Sequence, residues 1–164
     1  MRHLVLIGFM GSGKSTLSMR LSLTLGIPLI STDKMIEEMM QRSIPEIFDG
    51  FGEEVFRLKE SEVFTKLCSL QIPHIIDCGG GFGAYQDVKK LGEVVFLNFR
   101  LEEILARLDQ DEYSKRPLLH QSDLKELFHK RSKLYMQKAD CVLENDCEID
   151  RFVWERALNA PLLP

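Results

Sequence analysis

The sequence predicts an α/β fold, a parallel sheet of five strands with helices on both faces. Three observations carry that prediction. Short apolar runs at 4–7, 27–30, 74–77, 94–99 and 141–143 alternate with helix-length segments, the pattern of strands buried on both sides by crossover helices. The first run leads directly into Gly8-Phe9-Met10-Gly11-Ser12-Gly13-Lys14-Ser15-Thr16, a glycine loop set between a strand and a helix. The chain has 164 residues, 45% hydrophobic and 28% charged, which suits one domain over 1–164 with its own core.

The elements follow in order. Strand one is 4–7, and helix one runs to 25, with Gly26 as its terminator. Strand two, 27–30, ends at Ser31-Thr32-Asp33, where Thr32 or Asp33 is positioned to cap a helix to 40. Met35, Ile36, Met39 and Met40 share one face of it. A short helix over 44–51 opens with Pro45, Gly52 interrupts, and an amphipathic helix follows over 53–70. Strand three is 74–77, followed at once by Gly79-Gly80-Gly81. After strand four, residues 101–108 are helical. The polar, proline-broken stretch 109–120 reads as a surface loop able to act as a lid. A charged helix over 122–138, capped by Ser122, precedes strand five, and a last helix spans 149–159.

The glycine loop points to nucleotide binding. Backbone amides and the helix N-terminus wrap an anion, Lys14 supplies charge to the outer phosphates, and the Ser15 hydroxyl is a ligand for Mg²⁺. Gly11, Ser12, Gly13, Lys14, Ser15 and Thr16 therefore form the expected ATP site. In a parallel sheet, ligands sit beyond the carboxyl ends of the strands. The loop, 31–33 and 77–81 all fall there.

A kinase also needs an acceptor pocket, a base, cationic charge on the moving phosphoryl group, and exclusion of water. Asp33 is placed to take a hydroxyl proton, a role compatible with capping. Arg57 has Glu53 and Glu60 at i−4 and i+3. It reads either as a surface ion pair or as a guanidinium gripping a carboxylate. Three successive glycines form either a plain turn or a close-approach floor for a small polar molecule. Arg116, before Pro117, is a candidate lid arginine. Arg131, flanked by Lys130 and Lys133, reads from pattern alone as a solvated charge.

Taken together, these residues resemble shikimate kinase over nearly the whole chain: the glycine loop, Thr32-Asp33, Glu46-Ile47-Phe48, Gly52-Glu53, Phe56-Arg57 with Glu60, Gly79-Gly80-Gly81, Arg116-Pro117-Leu118-Leu119, and Arg131 with Tyr135. The resemblance implies a nucleoside-monophosphate-kinase type of sheet with order 2-3-1-4-5. It implies transfer of phosphate from ATP to the 3-hydroxyl of shikimate. Asp33 would deprotonate the acceptor, with Lys14 and Arg116 acting on the phosphates. Arg57 and Arg131 would hold the carboxylate, overriding the solvated reading of Arg131, and Gly79, Gly80 and Gly81 would line the pocket. Arg107 would lie on the adenine side.

One departure stands out. The family pattern at the end of strand two is Asp-x-Asp, and its first acid, on the magnesium side, is Ser31 here. Asp77 stands where that pattern has a small residue before the triple glycine. Two readings follow. Asp77 takes over in the outer shell of Mg²⁺, both strand ends being expected beside strand one, or Ser31 suffices and Asp77 caps a turn.

Three rivals are a kinase for another hydroxylated acid such as gluconate, a nucleoside monophosphate kinase, and a nucleotide-binding regulator without turnover. The net charge of −4 and the lack of a basic block argue against a nucleic-acid partner. No apolar run reaches the ~18 residues of a membrane span, and no signal peptide is expected. The four cysteines lack metal spacing and fit a cytoplasmic protein with reduced thiols, Cys78 being a buried small hydrophobe. A monomer is expected.

Overall fold

The computed structural model describes residues 3–107 and 124–159. The expected lid over 109–120, with Arg116, and the Ser122 cap lie outside the described residues. The elements are β1 (His3–Gly8), α1 (Lys14–Leu25), β2 (Leu29–Ser31), α2 (Thr32–Met40), α3 (Ile44–Cys68), β3 (Ile75–Asp77), α4 (Gly80–Tyr85), a 3₁₀ turn (Val88–Lys90), β4 (Gly92–Leu97), α5 (Leu101–Arg107), α6 (Leu124–Lys138), β5 (Cys141–Leu143) and α7 (Asp146–Asn159).

The five strands are all parallel, in the order β2-β3-β1-β4-β5. This is the order implied by the resemblance. It also corrects one expectation: β2 does not touch β1, because β3 lies between them. Leu6 of β1 is level with Asp77, and Asp77 is level with Ser31 of β2.

Side chains of a strand alternate between faces, and here the alternation divides the core in two. Val5 and Ile7 of β1, with Val94 and Phe96 of β4, pack under α2, α3, α4 and α6, against Ile36, Val63, Phe82 and Tyr135. Leu4 and Leu6, with Val95 and Leu97, pack under α1 and α7, against Leu17, Leu21, Phe152 and Val153. The methionines of α2 fall as expected, with Ile36 fully buried and Met35, Met39 and Met40 half-buried against the first core. Among the described residues, no helix is long and apolar enough to cross a membrane.

Local chemistry explains most boundaries and corrects others. Gly26 ends α1 in the left-handed region. The cap of α2 is Ser31, not Thr32 or Asp33: its extended backbone lets Oγ accept from Lys34 N at 3.4 Å. At the start of α3, Glu46 accepts from both Ser43 N and Ser43 Oγ. These two hydrogen bonds hold the Glu46 carboxyl below its ordinary value. The helices expected on either side of Gly52 are one element with a kink at that residue, where φ is 79° and ψ is 172°. Strand two is shorter and later than expected, and the last helix begins three residues earlier, at Asp146.

Helix α4 was not expected. It opens on Gly80 and Gly81, with Gly79 at its N-cap, and glycine is a poor helix former. Neighbouring side chains hold it instead. Tyr135 Oη donates to Gly80 O at 2.7 Å, and Lys138 Nζ donates to the carbonyls of Gly83 and Ala84 in the last turn and of Gln86 just past it. The lysine supplies the positive charge that a helix C-terminus favours.

The backbone at Gly52 is open in practice only to glycine. Gly52→Ala is expected to lower the unfolding free energy by about 1–3 kcal/mol, read as a fall in the urea midpoint without a change in slope.

Candidate active site

The glycine loop is built as expected. Gly13 sits at φ 92° and turns the chain into α1, a conformation a side chain would strain. Lys14 is buried at 8% exposure, and its ammonium donates to Gly8 O at 3.0 Å and Phe9 O at 2.9 Å, anchoring it inside the loop's curve. Ser15, one residue on, donates its hydroxyl proton to Asp77 Oδ2 at 2.7 Å. That bond uses the hydroxyl's only proton and leaves its lone pairs for a cation. Ser15 and Asp77 are both hard oxygen donors of the kind Mg²⁺ selects, so the residues present fit the expected ion. Ser31 spends its hydroxyl on the cap of α2.

Two of the three glycines make room for a candidate acceptor residue, and the third lies close to another. A Cβ on Gly79 would collide with the Asp33 carboxylate, and one on Gly81 with the Arg57 guanidinium. On Gly80 it would come within 3.2 Å of Arg131 Nη1 and 3.5 Å of Tyr135 Oη. The run is therefore a close-approach surface and not a plain turn, but its amides do not form a uniform open floor. Gly79 N already donates to Thr32 Oγ1 at 2.8 Å. Thr32 is fully buried, and this bond ties the start of α2 to the end of β3, holding Asp33 opposite Gly79.

Arg57 makes both ion pairs that its spacing predicts, to Glu53 at 2.6 Å and to Glu60 at 2.8 Å. The pairing is not a surface one throughout: Glu60 is buried, while Arg57 is 23% exposed and Glu53 55%. Burial pushes the Glu60 carboxyl above its ordinary value, although the Arg57 guanidinium draws it back. Burial acts to lower Arg57, but the charges and hydrogen bonds of Glu60 and Glu53 prevail and raise it. Removing one partner of such a pair leaves the other charge uncompensated, at a cost of about 3–5 kcal/mol where both are buried. Among the described residues Glu60 Oε1 has no hydrogen-bond partner.

Arg131 is 2% exposed, so the solvated reading of its helix pattern fails. Among the described residues its Nε has no hydrogen-bond partner. Tyr135, one turn along α6, is fully buried, and burial pushes its hydroxyl well above the ordinary value. Cys78 is 1% exposed and its thiol is likewise pushed up by burial, as befits an inert core residue. All described cysteines are free thiols.

A single cavity of about 1180 Å³ joins these parts. Its walls include residues 11–16 of the glycine loop, Ser31, Asp33, Glu60, Asp77, Gly79, Gly80, Gly81 and Arg131. Arg57 is not itself on the wall; its guanidinium lies against Gly81, which is. Arg107 lines the other end, 4.2 Å from the Phe99 ring centroid and 3.1 Å from Asp146. Sequence reasoning did not assign Thr32, Tyr135 and Lys138 their bracing roles. For Tyr135 the signal was available, since it lies four residues from Arg131 on the same helix face.

The comparison with family models turns this arrangement into an assignment: the model described as shikimate kinase matches residues 10–160. The chain belongs to the shikimate kinase family. It is 40% identical over 147 residues to a shikimate kinase of Helicobacter hepaticus, covering 89% of this chain and 88% of that one. A shikimate kinase of Clostridium botulinum is 41% identical over 152 residues, covering 88% of each. Among solved structures, the shikimate kinase of Acinetobacter baumannii in complex with shikimate superposes with a TM-score of 0.83 at 30% identity, over 99% of this chain and 96% of that one. The Aquifex aeolicus shikimate kinase gives 0.79 at 36% identity, over 96% and 95%.

A side chain at 81 would have to displace the Arg57 guanidinium from Glu60. Gly81→Ala is expected to lower the unfolding free energy by about 1–3 kcal/mol. Urea denaturation checks the size of the loss.

Proposed function

We propose that this chain transfers the γ-phosphoryl group of ATP to the 3-hydroxyl of shikimate, releasing ADP and shikimate 3-phosphate for aromatic biosynthesis. The observation that carries this reading is the convergence of Asp33, Arg57 and Arg131 on the glycine run, beside a phosphate-binding loop. An acceptor bearing both a carboxylate and hydroxyls finds a cation for the first and a base for the second.

The chemistry follows from the placement. Backbone amides of residues 11–16, with Lys14, hold the phosphates. Arg131, with Arg57 behind the glycine run, takes the acceptor carboxylate and fixes its orientation, which lowers the entropic part of the barrier. Asp33 accepts the proton of the attacking hydroxyl. The hydroxyl oxygen bonds to the γ-phosphorus as the bond to the β,γ-bridging oxygen breaks, and the electron pair leaves with ADP. Lys14 offsets the charge that moves onto the phosphate oxygens. We assign Arg116 the same task from the lid and Arg107 the adenine side. Mg²⁺, when bound, neutralises phosphate charge; Ser15 would hold it directly, and Asp77 through its water shell. We read the chain as a cytoplasmic monomer acting on a small molecule.

A coupled assay of ADP production, run with and without shikimate, tests the reading. ADP formation that depends on shikimate supports it. Preference for gluconate or a nucleoside monophosphate would replace it with a rival. Asp33→Asn is expected to reduce kcat by about 10²–10⁴-fold while leaving ADP affinity intact; wild-type kcat would remove Asp33 as the base.

Asp77 is tested without turnover. In calorimetric titration, Asp77→Asn is expected to weaken Mg·ADP binding about 10–100-fold and to leave metal-free ADP binding unchanged. Ser31→Asp combined with Asp77→Ser should restore much of the metal-dependent part. If metal-dependent binding is unaffected in Asp77→Asn, then Ser31 and water suffice.

A further inference from the structure

Tyr85, the last residue of α4, has two cations close to its ring. Arg57 Cζ lies 5.3 Å from its ring centroid and Arg131 Cζ 5.8 Å. Both distances are within the range of a cation–π interaction. The two guanidinium groups come from different helices, α3 and α6, and repel one another. A shared aromatic ring, negative on its faces, is the neutral object that offsets this repulsion without competing for an incoming anion.

The backbone that carries the ring is tied to two helices. Lys138 of α6 binds the carbonyls of Gly83, Ala84 and Gln86 around it. Gln86 Nε2 donates to Ser61 Oγ of α3 at 3.3 Å, and Ser61 Oγ donates to Arg57 O at 3.2 Å. Within α4, positions 81 and 85 are one turn apart on the same face. The face that clears space for Arg57 at Gly81 thus presents a ring to it at Tyr85. Arg131 is packed, at 2% exposure, but among the described residues its Nε makes no hydrogen bond. Among the described residues the Tyr85 hydroxyl makes no hydrogen bond, and the side chain is 44% exposed. Core packing does not account for a half-exposed aromatic at this point.

We propose that Tyr85 is a positioning residue for the acceptor's carboxylate: its ring sets the separation and tilt of Arg57 and Arg131. The proposal rests on the reading of those two arginines as the carboxylate clamp. The π face does the work, so the hydroxyl is dispensable.

The test is steady-state kinetics of Tyr85→Ala, Tyr85→Leu and Tyr85→Phe beside Arg57→Ala, with thermal denaturation of each. Tyr85→Ala and Tyr85→Leu are expected to raise the KM for shikimate about tenfold, with KM for ATP and kcat little changed. Tyr85→Phe should match the wild type. Shikimate methyl ester, which lacks the carboxylate charge, should show no difference between wild type and Tyr85→Leu, because the clamp has nothing to hold. Tyr85→Leu keeps apolar volume, so a folding defect confined to Tyr85→Ala leaves the test intact. The proposal is overturned by an unchanged KM in folded Tyr85→Leu, by an equal loss in Tyr85→Phe, or by an equal loss with the ester. Arg57→Ala separates the two possible failures. An unchanged KM there removes the clamp and Tyr85's role with it, whereas a raised KM there and an unchanged one in Tyr85→Leu overturns the Tyr85 role alone.

Discussion

The site depends on an absence of side chains. Asp33, Arg57 and Arg131 are charged groups from three helices; Asp33 and Arg57 approach the end of β3 more closely than a Cβ would permit, and Arg131 would be crowded by one. Gly79, Gly80 and Gly81 supply that space in one consecutive run. The constraint propagates outward. A glycine run has little reason of its own to be ordered, so the surrounding chain must order it: Thr32 holds Gly79 N, Tyr135 holds Gly80 O, and Lys138 holds the far end of α4. Each bracing residue is on or beside an element that also carries a functional one. Thr32 precedes Asp33, and Tyr135 and Lys138 follow Arg131 on α6. The same contacts therefore fix the surface and aim the groups that lie against it.

The sheet serves this arrangement by ordering its strands. With β3 between β1 and β2, the end of β3 is adjacent to the glycine loop on one side and to the start of α2 on the other. Asp77 and the glycine run occupy that central position. The glycine loop and the candidate acceptor residues then line one cavity because they are built on neighbouring strand ends, and two of the helices that cover the first core, α3 and α6, carry Arg57 and Arg131.

Much of this was legible in the sequence, and what was not has physical reasons. The glycine loop, the alternation of strands and helices, the methionine face of α2 and the break at Gly52 all follow from local rules. Strand order came from the resemblance, not from pattern. Helix α4 was invisible because tertiary contacts from α6 override the poor propensity of Gly80, Gly81 and Gly83. The burial of Arg131 was invisible because the lysines around it give its helix a solvated look, and only the packing of α6 on α4 removes that one side chain from water. The Ser31 cap was missed in favour of its two neighbours because all three residue types cap helices, and only the backbone angle decides among them.

Ser31 and Asp77 share one rung of adjacent parallel strands. A carboxylate at either position enters the same end of the sheet, and moving it from one to the other leaves the charge of that rung unchanged. In a column-by-column comparison of sequences, such a move scores as two unrelated substitutions, one losing an acid and one gaining it. In space the two positions are register partners on neighbouring strands. A search pattern demanding Asp-x-Asp would discard this chain, whereas one written over rungs of the sheet would keep it.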